Sequence, residues 1–496
     1  MRMPMAKIRA KLSPVRLVLA LLALVVIAVS WRQVLAASSG LVVRQVDQAG
    51  VPLRFMVAEG AQNAPGVVIA HGFSGSQQLM LGYGYVLAHA GYGVVLLDFA
   101  GHGANATPLT PDAPVLADEV AVATAVLQSQ PEIDPTQLAM LGHSMGSGAI
   151  MQTAVDHGEL YRAAVAVSPT GADVNPAWPR NFLLMAGSLE APFVANAQDL
   201  LARAGGANPD LSADLGRALV VVPNAEHISI LFRWLSHSTA LDWLDQVFGM
   251  QRASDYRDTR IIWYGLHLAG WLVGLLALSP LLPDGRVQRG VGRRRPWYWL
   301  GLAAGVAAGT AVLWLLSQVF SLAAVGGLAV GGGLGLWFFI VGLVWLLAGF
   351  RLTLPTRRSV AWGAAVFAFL WLAFGLLSQW VWLPWFLIPA RLLRWLPLAV
   401  AFFPWLLAAG LVNQGAGGWQ RLGWWAWQCV VLVSGLLALV FLVPDLFFLA
   451  LVVPVIPIVV GILALTGAAI DHAWAYGLGG ALFFSWLILA VFPLLG

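Results

Sequence analysis

The chain has 496 residues, of which 59% are hydrophobic and 10% are charged, with a net charge of +4 at pH 7. This composition is too apolar for an ordinary soluble protein, and the length is too great for one compact domain. Because the arginines lie in short clusters between apolar runs, the basic balance indicates membrane orientation and does not indicate nucleic-acid binding, so we expect no nucleic acid as a partner. Cys429 is the only cysteine, which excludes a disulfide within the chain.

The N-terminal segment has the pattern of a membrane anchor or a signal sequence. Residues 1–16 contain basic side chains and no acidic one, and an apolar run from Leu17 to Trp31 follows. We favour an uncleaved transmembrane anchor over 17–37, with 1–16 in the cytoplasm. A signal sequence cleaved after Ala36 is the alternative, and both interpretations export the residues that follow.

Residues 40–250 have the pattern of an α/β domain. An opening hairpin is predicted from Leu41–Val46 and Val51–Val57, which alternate around a turn. Short apolar runs, typical of buried strands, then follow at 66–70, 93–99, 137–141, 163–167, 182–186 and 218–222. Helices are predicted between them near 76–90, 114–129, 146–157, 194–204 and 228–248. Since the strands are apolar throughout, we expect a mostly parallel sheet that is covered on both faces.

Residues 260–496 are predicted to form an all-α bundle in the lipid bilayer. Apolar runs long enough to cross about 30 Å of hydrocarbon lie near 260–282, 297–317, 330–350, 360–380, 395–412, 422–443, 446–468 and 474–495. About eight transmembrane helices are therefore expected. Ionisable residues within these runs are few, His267 being one, and this scarcity argues against a proton-driven transporter.

The distribution of arginines tests this count. With a cytoplasmic N-terminus, the domain at 40–250 is extracytoplasmic, and alternate loops of the bundle return to the cytoplasm. Most loop arginines fall on the predicted inner side, as the positive-inside rule requires: Arg286, Arg289, Arg293, Arg294, Arg295, Arg351, Arg357, Arg358 and Arg421. Arg391 and Arg394 fall on the outer side, where we expect them to snorkel among nearby tryptophans. The predicted location is the inner plasma membrane.

The motif Gly142-His143-Ser144-Met145-Gly146 follows an apolar strand and begins a helical pattern. In this G-x-S-x-G arrangement the chain turns sharply and presents the serine hydroxyl at its apex. Ser144 is therefore the candidate nucleophile. The backbone amides of Phe73, which follows the first long parallel strand, and Met145 are the candidate donors to the oxyanion.

A serine nucleophile also needs a base and an acid that orients the base. The strand at 182–186 is followed by Glu190, and the strand at 218–222 is followed by His227. We predict Glu190 as the acid and His227 as the base. Other carboxylates remain open as the acid, namely Asp199, Asp210 and Asp214, and His227 has the alternative of capping the helix after it.

The region from about 41 to 250 resembles an α/β-hydrolase. The residues that carry the resemblance are His71-Gly-Phe73, Asp98-Phe-Ala-Gly-His-Gly103, the motif around Ser144, the strand that ends near Glu190, and His227. It is similar to the esterase, dienelactone-hydrolase-like and serine-aminopeptidase-like branches. The resemblance implies Ser144 as nucleophile, Glu190 as acid, His227 as base and the Phe73 and Met145 amides as the oxyanion hole. Two features depart from it: aspartate is the commoner acid, and the short connection after 163–167 leaves no room for a lid, which predicts an open site.

Three further histidines, His71, His102 and His143, follow strands. No metal-binding spacing accompanies them, so we expect no metal and no cofactor, and we expect these rings to order loops around the pocket. Asp98 is expected to bind loop amides. The leading hypothesis is a membrane-bound serine hydrolase that cleaves an ester, thioester or amide of a small or lipid-like acyl substrate, with acyl transfer as a variant. The alternative is a transport or scaffold protein with a non-catalytic hydrolase-like binding domain.

Overall fold

The computed structural model describes residues 13–110, 115–282, 296–350, 352 and 354–496. The chain divides into two compact units. One, here called the α/β unit, contains Arg32–Tyr264 and Ser378–Phe386. The other, the helical unit, contains Gly265–Leu377, Leu387–Gly496 and the described part of Met1–Trp31.

An eight-stranded sheet forms the centre of the α/β unit in the described part of the chain. Its strands are β1 (Leu41–Gln48), β2 (Val51–Ala58), β3 (Ala64–Ala70), β4 (Gly93–Leu97), β5 (Ile133–His143), β6 (Tyr161–Val167), β7 (Phe182–Gly187) and β8 (Arg217–Val222). They are ordered β1-β2-β4-β3-β5-β6-β7-β8. The first two strands pair antiparallel to their neighbours, and the strands from β3 to β8 are mutually parallel. The predicted hairpin and mostly parallel sheet are confirmed.

Helices cover both faces of this sheet. After α1 (Pro14–Leu35), they are α2 (Leu81–Ala90), α3 (Val115–Gln128), α4 (Met145–Asp156), α5 (Ala191–Arg203) and α6 (Trp234–Phe248). Successive residues of a strand point to opposite faces: Val67 and Ile69 of β3 belong to one apolar core, and Val68 and Ala70 belong to the other. The strands are continuous apolar runs because both faces are buried.

Two helices of the α/β unit begin later than predicted. The helix expected from residue 76 begins at Leu81 because Asp98 holds the preceding loop: its carboxylate accepts the backbone N–H of Gln77 at 2.7 Å and the side-chain amide of Gln77 at 2.9 Å. The helix expected over 228–248 is divided at Arg233, whose backbone is extended, into a 3-10 turn at Ser229–Phe232 and α6.

The helical unit contains long apolar helices. They are α7 (Arg260–Leu278, which begins in the α/β unit), α8 (Pro296–Ser317), α9 (Gly331–Gly349), α10 (Arg357–Leu370), α11 (Pro389–Asn413), α12 (Gly418–Leu442), α13 (Ile456–Ile470) and α14 (Ala473–Val491). A π-helix at Trp371–Leu376 and a 3-10 turn at Leu377–Trp380 extend α10. Among the described residues, seven helices, α1 included, are long and apolar enough to cross a membrane, and the bent pair Pro444–Leu451 and Ile456–Ile470 would make an eighth. The number of spans stays a prediction.

The charged loop arginines are only partly described. Arg286, Arg289, Arg293, Arg294, Arg295 and Arg351 lie outside the described residues, as do residues 1–12. The expectation that Arg391 snorkels among tryptophans is wrong. Its side chain is 1% exposed and donates to the carbonyl oxygens of Leu489 and, at 2.7 Å, Phe492. Leu489 lies in the last turn of α14, where carbonyl oxygens have no intrahelical donor, and Phe492 directly follows the helix, so both oxygens are free to accept from Arg391.

One segment from beyond residue 264 packs in the α/β unit. Arg260, at the start of α7, is 2% exposed and donates to the carbonyl oxygen of Trp380 at 2.8 Å. Its other nitrogens donate to both carboxylate oxygens of Asp258 at 2.7 Å, and its guanidinium carbon lies 4.1 Å from the ring centroid of Tyr85. The bond to Trp380 joins Ser378–Phe386 to the start of α7, and the contacts with Asp258 and Tyr85 fix the guanidinium that makes it.

Candidate active site

Ser144 lies on a strained turn between β5 and α4. Its backbone has φ 51° and ψ −121°, a conformation that residues other than glycine rarely adopt. The turn requires small neighbours: a Cβ at Gly142 would lie 2.5 Å from the carbonyl oxygen of Gly146, and a Cβ at Gly146 would collide with the carbonyl oxygen of His71. The glycines therefore allow the backbone packing that presents the hydroxyl.

The structure brings the three predicted side chains together. The Oγ of Ser144 lies 3.0 Å from Nε2 of His227, and Nδ1 of His227 lies 2.8 Å from Oε2 of Glu190. Each residue follows a parallel strand, β5, β7 or β8, so all three meet at the carboxyl edge of the sheet. The His227 side chain is 19% exposed and that of Glu190 is 5% exposed. The base therefore faces the surface, and its carboxylate partner is inside.

Glu190 is held by two donors in addition to His227. Its Oε1 accepts the hydroxyl of Ser168 at 2.6 Å and the backbone N–H of Gly187 at 2.5 Å. The other carboxylates considered from the sequence lie elsewhere: Asp199 and Asp214 are near arginines, at 3.7 and 3.8 Å, and Asp210 accepts from Ser212 at 2.7 Å. Glu190 is the carboxylate that contacts the imidazole.

The loop after β3 lies against the serine, where the predicted oxyanion donors are needed. A Cβ at Gly72 would lie 2.9 Å from the Cβ of Ser144, so the backbone next to Phe73 passes directly beside the nucleophile. Met145 is the first residue of α4, and the N–H groups of a first helical turn have no intrahelical acceptor. The role of the Phe73 and Met145 amides stays a prediction.

Two further residues contact His227: His143, expected from the sequence only to order a loop near the pocket, and Phe193, which the sequence-based prediction did not include. The Nε2–H of His143 donates to the backbone carbonyl oxygen of His227 at 2.9 Å, and the ring of Phe193 lies 4.3 Å from the His227 ring, tilted by 30°. Ser168, which the prediction also did not include, donates to Glu190. The sequence shows His143 next to the nucleophile, but it gives no sign of the loop that the ring contacts.

The remaining predicted loop residues have local partners. Nδ1–H of His71 donates to the carbonyl oxygen of Gly72 at 2.8 Å, and Nε2 accepts the N–H of Phe99 at 3.1 Å. Burial lowers the pKa of His71 below the ordinary value. Asp98 binds the amides of Gln77 and Ala104, as expected. Within the described ranges, no three histidine, cysteine or acidic side chains are grouped so that they could hold a metal ion.

Comparison with known families identifies the fold of the α/β unit. Residues 61–218 match the family model described as serine aminopeptidase, S33. The chain contains an α/β-hydrolase domain. The matched part of this α/β-hydrolase domain includes Ser144 and Glu190 and ends before His227. A comparison with curated protein sequences gives no significant match.

Several solved structures are similar to the α/β-hydrolase domain. A dienelactone hydrolase from Anabaena variabilis has 20% identity and a TM-score of 0.32, over 42% of this chain and 98% of that one. A hormone-sensitive lipase from a metagenome library has 17% identity and a TM-score of 0.33, over 43% and 87%. A bacterial membrane phospholipase A has 17% identity and a TM-score of 0.32, over 46% and 93%.

Proposed function

We propose that the protein is a membrane-bound serine hydrolase that cleaves an acyl ester, thioester or amide on the extracytoplasmic side of the inner plasma membrane. The observation that carries this proposal is the continuous chain of contacts from Ser144 through His227 to Glu190, with distances of 3.0 and 2.8 Å. Hydrogen-bond distances of this size allow proton transfer between nucleophile and base.

The proposed reaction has two halves. Oγ of Ser144 attacks the acyl carbonyl carbon while Nε2 of His227 takes the hydroxyl proton. The amides of Phe73 and Met145 stabilise the oxyanion, and collapse of the intermediate expels the leaving group, which takes the proton from His227. Water then loses a proton to His227 and attacks the acyl-serine carbonyl carbon. Collapse of this second intermediate breaks the bond to Oγ of Ser144, which takes the proton back from His227, and the acid is released. Throughout, Glu190 orients His227 and stabilises its charged form.

Apolar side chains near the triad support an apolar acyl substrate. Leu189, directly before Glu190, is 68% exposed, and Phe193 lies against the His227 ring. Covering the exposed Leu189 side chain with an apolar acyl group would be favourable by about 25 cal/mol per Å² of apolar surface removed from water. No helix or strand is formed between β6 and β7, so the site has no lid from that connection.

Polar contacts in the helical unit support the proposed topology, since they join helix ends that lie on the same predicted side. Asp445 accepts from Ser321 at 2.7 Å on the outer side, and Arg421 donates to Asp471 at 2.8 Å on the inner side.

Turnover of p-nitrophenyl esters by the purified full-length protein tests the proposed reaction. We expect turnover by the wild type, a rate that increases from acetate to octanoate, and a loss of at least about 1,000-fold in kcat for Ser144→Ala. Ser212→Ala, at an exposed serine of the loop before β8, is the matched control and should retain the wild-type rate. An unchanged rate in Ser144→Ala would refute the mechanism. A folded wild type without turnover would favour the non-catalytic binding or transport role.

A further inference from the structure

His143 lies between the candidate nucleophile and the loop that carries the candidate base. Its side chain is buried, and its ring centroid is 4.7 Å from that of His227. Since a carbonyl oxygen only accepts hydrogen bonds, the 2.9 Å contact with the backbone oxygen of His227 fixes the proton of His143 on Nε2. The bond joins residues 84 positions apart and connects the end of β5 directly to the loop after β8.

The opposite edge of the same ring, at Nδ1, lies against the loop after β3. A Cβ at Gly72 would lie 2.8 Å from Nδ1 of His143 and 2.9 Å from the Cβ of Ser144. The ring therefore fills the space between the backbone that carries the candidate oxyanion donor and the backbone that carries the base. Because it is packed on both sides, it has little freedom to rotate away from the carbonyl oxygen of His227.

The ring is neutral in this position. Burial lowers the pKa of His143 well below the ordinary value of 6.5, and the proximity of His227 lowers it further. When His227 takes the proton of Ser144, the neighbouring ring adds no second positive charge. A neutral donor can therefore remain bonded to the His227 backbone through both protonation states of the base.

Other contacts fix the position of the His227 side chain, but they do not fix the position of its backbone carbonyl group. Glu190 holds Nδ1 and Phe193 packs on the ring face. The carboxylate of Glu226 binds the N–H groups of Ile228 and Ser229, at 3.0 and 2.6 Å, which shapes the turn after the base. The bond from His143 is the contact that ties the carbonyl of His227 to the strand bearing the nucleophile.

We propose that His143 is a positioning residue: its Nε2–H holds the His227 loop at the distance from Ser144 that proton transfer requires. This inference rests on the proposed function. A displacement of about 1 Å in a catalytic group can reduce the rate by about 100-fold. Loss of the donor should therefore lower kcat and leave KM nearly unchanged, since His143 is buried behind the base.

Three substitutions of His143 in the full-length protein separate the effect of losing the hydrogen-bond donor from the effect of changing the packing of the ring. His143→Leu removes the donor, His143→Asn moves an amide donor to the Nδ1 side of the ring, and His143→Gln places one near the original Nε2. We expect the Leu and Asn variants to lose about 10- to 100-fold in kcat with KM within about 3-fold, and the Gln variant to recover most of the rate. The thermal unfolding midpoint identifies any variant that is not folded.

The outcomes distinguish the two proposals. If the wild type hydrolyses esters and the folded Leu variant has the wild-type kcat, the positioning role is refuted and the proposed function stands. The same holds if the Gln and Asn variants have equal kcat, a comparison that remains available if the Leu variant does not fold. A folded wild type that neither hydrolyses esters nor reacts with a fluorophosphonate would refute the proposed function and the positioning role with it.

Discussion

The two oxygens of the Glu190 carboxylate have different partners, and this asymmetry gives a sharp prediction for Glu190→Gln. Oε1 accepts from both Gly187 N–H and Ser168 Oγ–H, whereas Oε2 faces Nδ1 of His227. The carbonyl oxygen of a glutamine must occupy the Oε1 position, because an amide NH₂ there would meet two donors. The NH₂ group is then directed at Nδ1 of His227.

This orientation forces the wrong tautomer on the base. With a donor facing Nδ1, the imidazole carries its proton on Nε2, which faces the hydroxyl of Ser144 at 3.0 Å. His227 can then no longer accept the serine proton. In a serine protease the equivalent change of acid to amide lowers kcat by about 10,000-fold, which corresponds to about 5.4 kcal/mol.

Steady-state hydrolysis of p-nitrophenyl butyrate measures this effect. We expect Glu190→Gln to fold normally, since the side chains have nearly the same shape, and to lose about 10³- to 10⁴-fold in kcat. Ser168→Ala removes one of the two donors that hold Oε1 and should cost about 10-fold, since the Gly187 N–H remains. A folded Glu190→Gln variant with more than a tenth of the wild-type kcat would refute the tautomer argument.

Three further predictions concern stability, each measured as the thermal unfolding midpoint of the full-length protein. Gly146→Ala should lower it far more than Gly171→Ala, because a methyl group at 146 collides with the His71 carbonyl oxygen and nothing lies within 4 Å of one at 171; equal midpoints would contradict this. Arg260→Met leaves the Asp258 carboxylate buried without its partner, which costs about 3–5 kcal/mol, and the added change Asp258→Asn should recover part of the loss. Burial lowers the pKa of three histidines of the α/β unit, namely His71, His143 and His237. The unfolded chain therefore binds more protons below pH 6.5, and the midpoint should fall as the pH decreases from 7.5 to 5; a flat profile would contradict the neutral burial of these three rings.

Much of the sheet could be predicted from the sequence because each parallel strand is buried on both faces. The apolar runs at 66–70, 163–167 and 182–186 lie within β3, β6 and β7. The candidate triad could also be proposed, since Ser144 directly follows β5, Glu190 and His227 lie in the loops after β7 and β8, and the carboxyl ends of parallel strands meet at one edge. The pattern alone left other carboxylates open as the acid.

Contacts between loops could not be predicted in this way. The sequence shows that His143 precedes Ser144, but its partner is a carbonyl oxygen 84 residues away on a loop whose path depends on tertiary packing. The bond from Arg260 to Trp380 spans 120 residues, and hydropathy shows that the segment around Trp380 is apolar without showing what it packs against. Arg391 was misplaced for the same reason, since its carbonyl partners belong to another helix.

The central claim is that Ser144 is an activated nucleophile. The most direct measurement is the mass of the peptide that contains Ser144 after the full-length protein reacts with a fluorophosphonate, which forms a covalent bond only with a nucleophilic serine. The account predicts one adduct on Ser144 in the wild type and in Ser212→Ala, and none in Ser144→Ala. A folded wild type that forms no adduct, or an adduct that persists in Ser144→Ala, would contradict it.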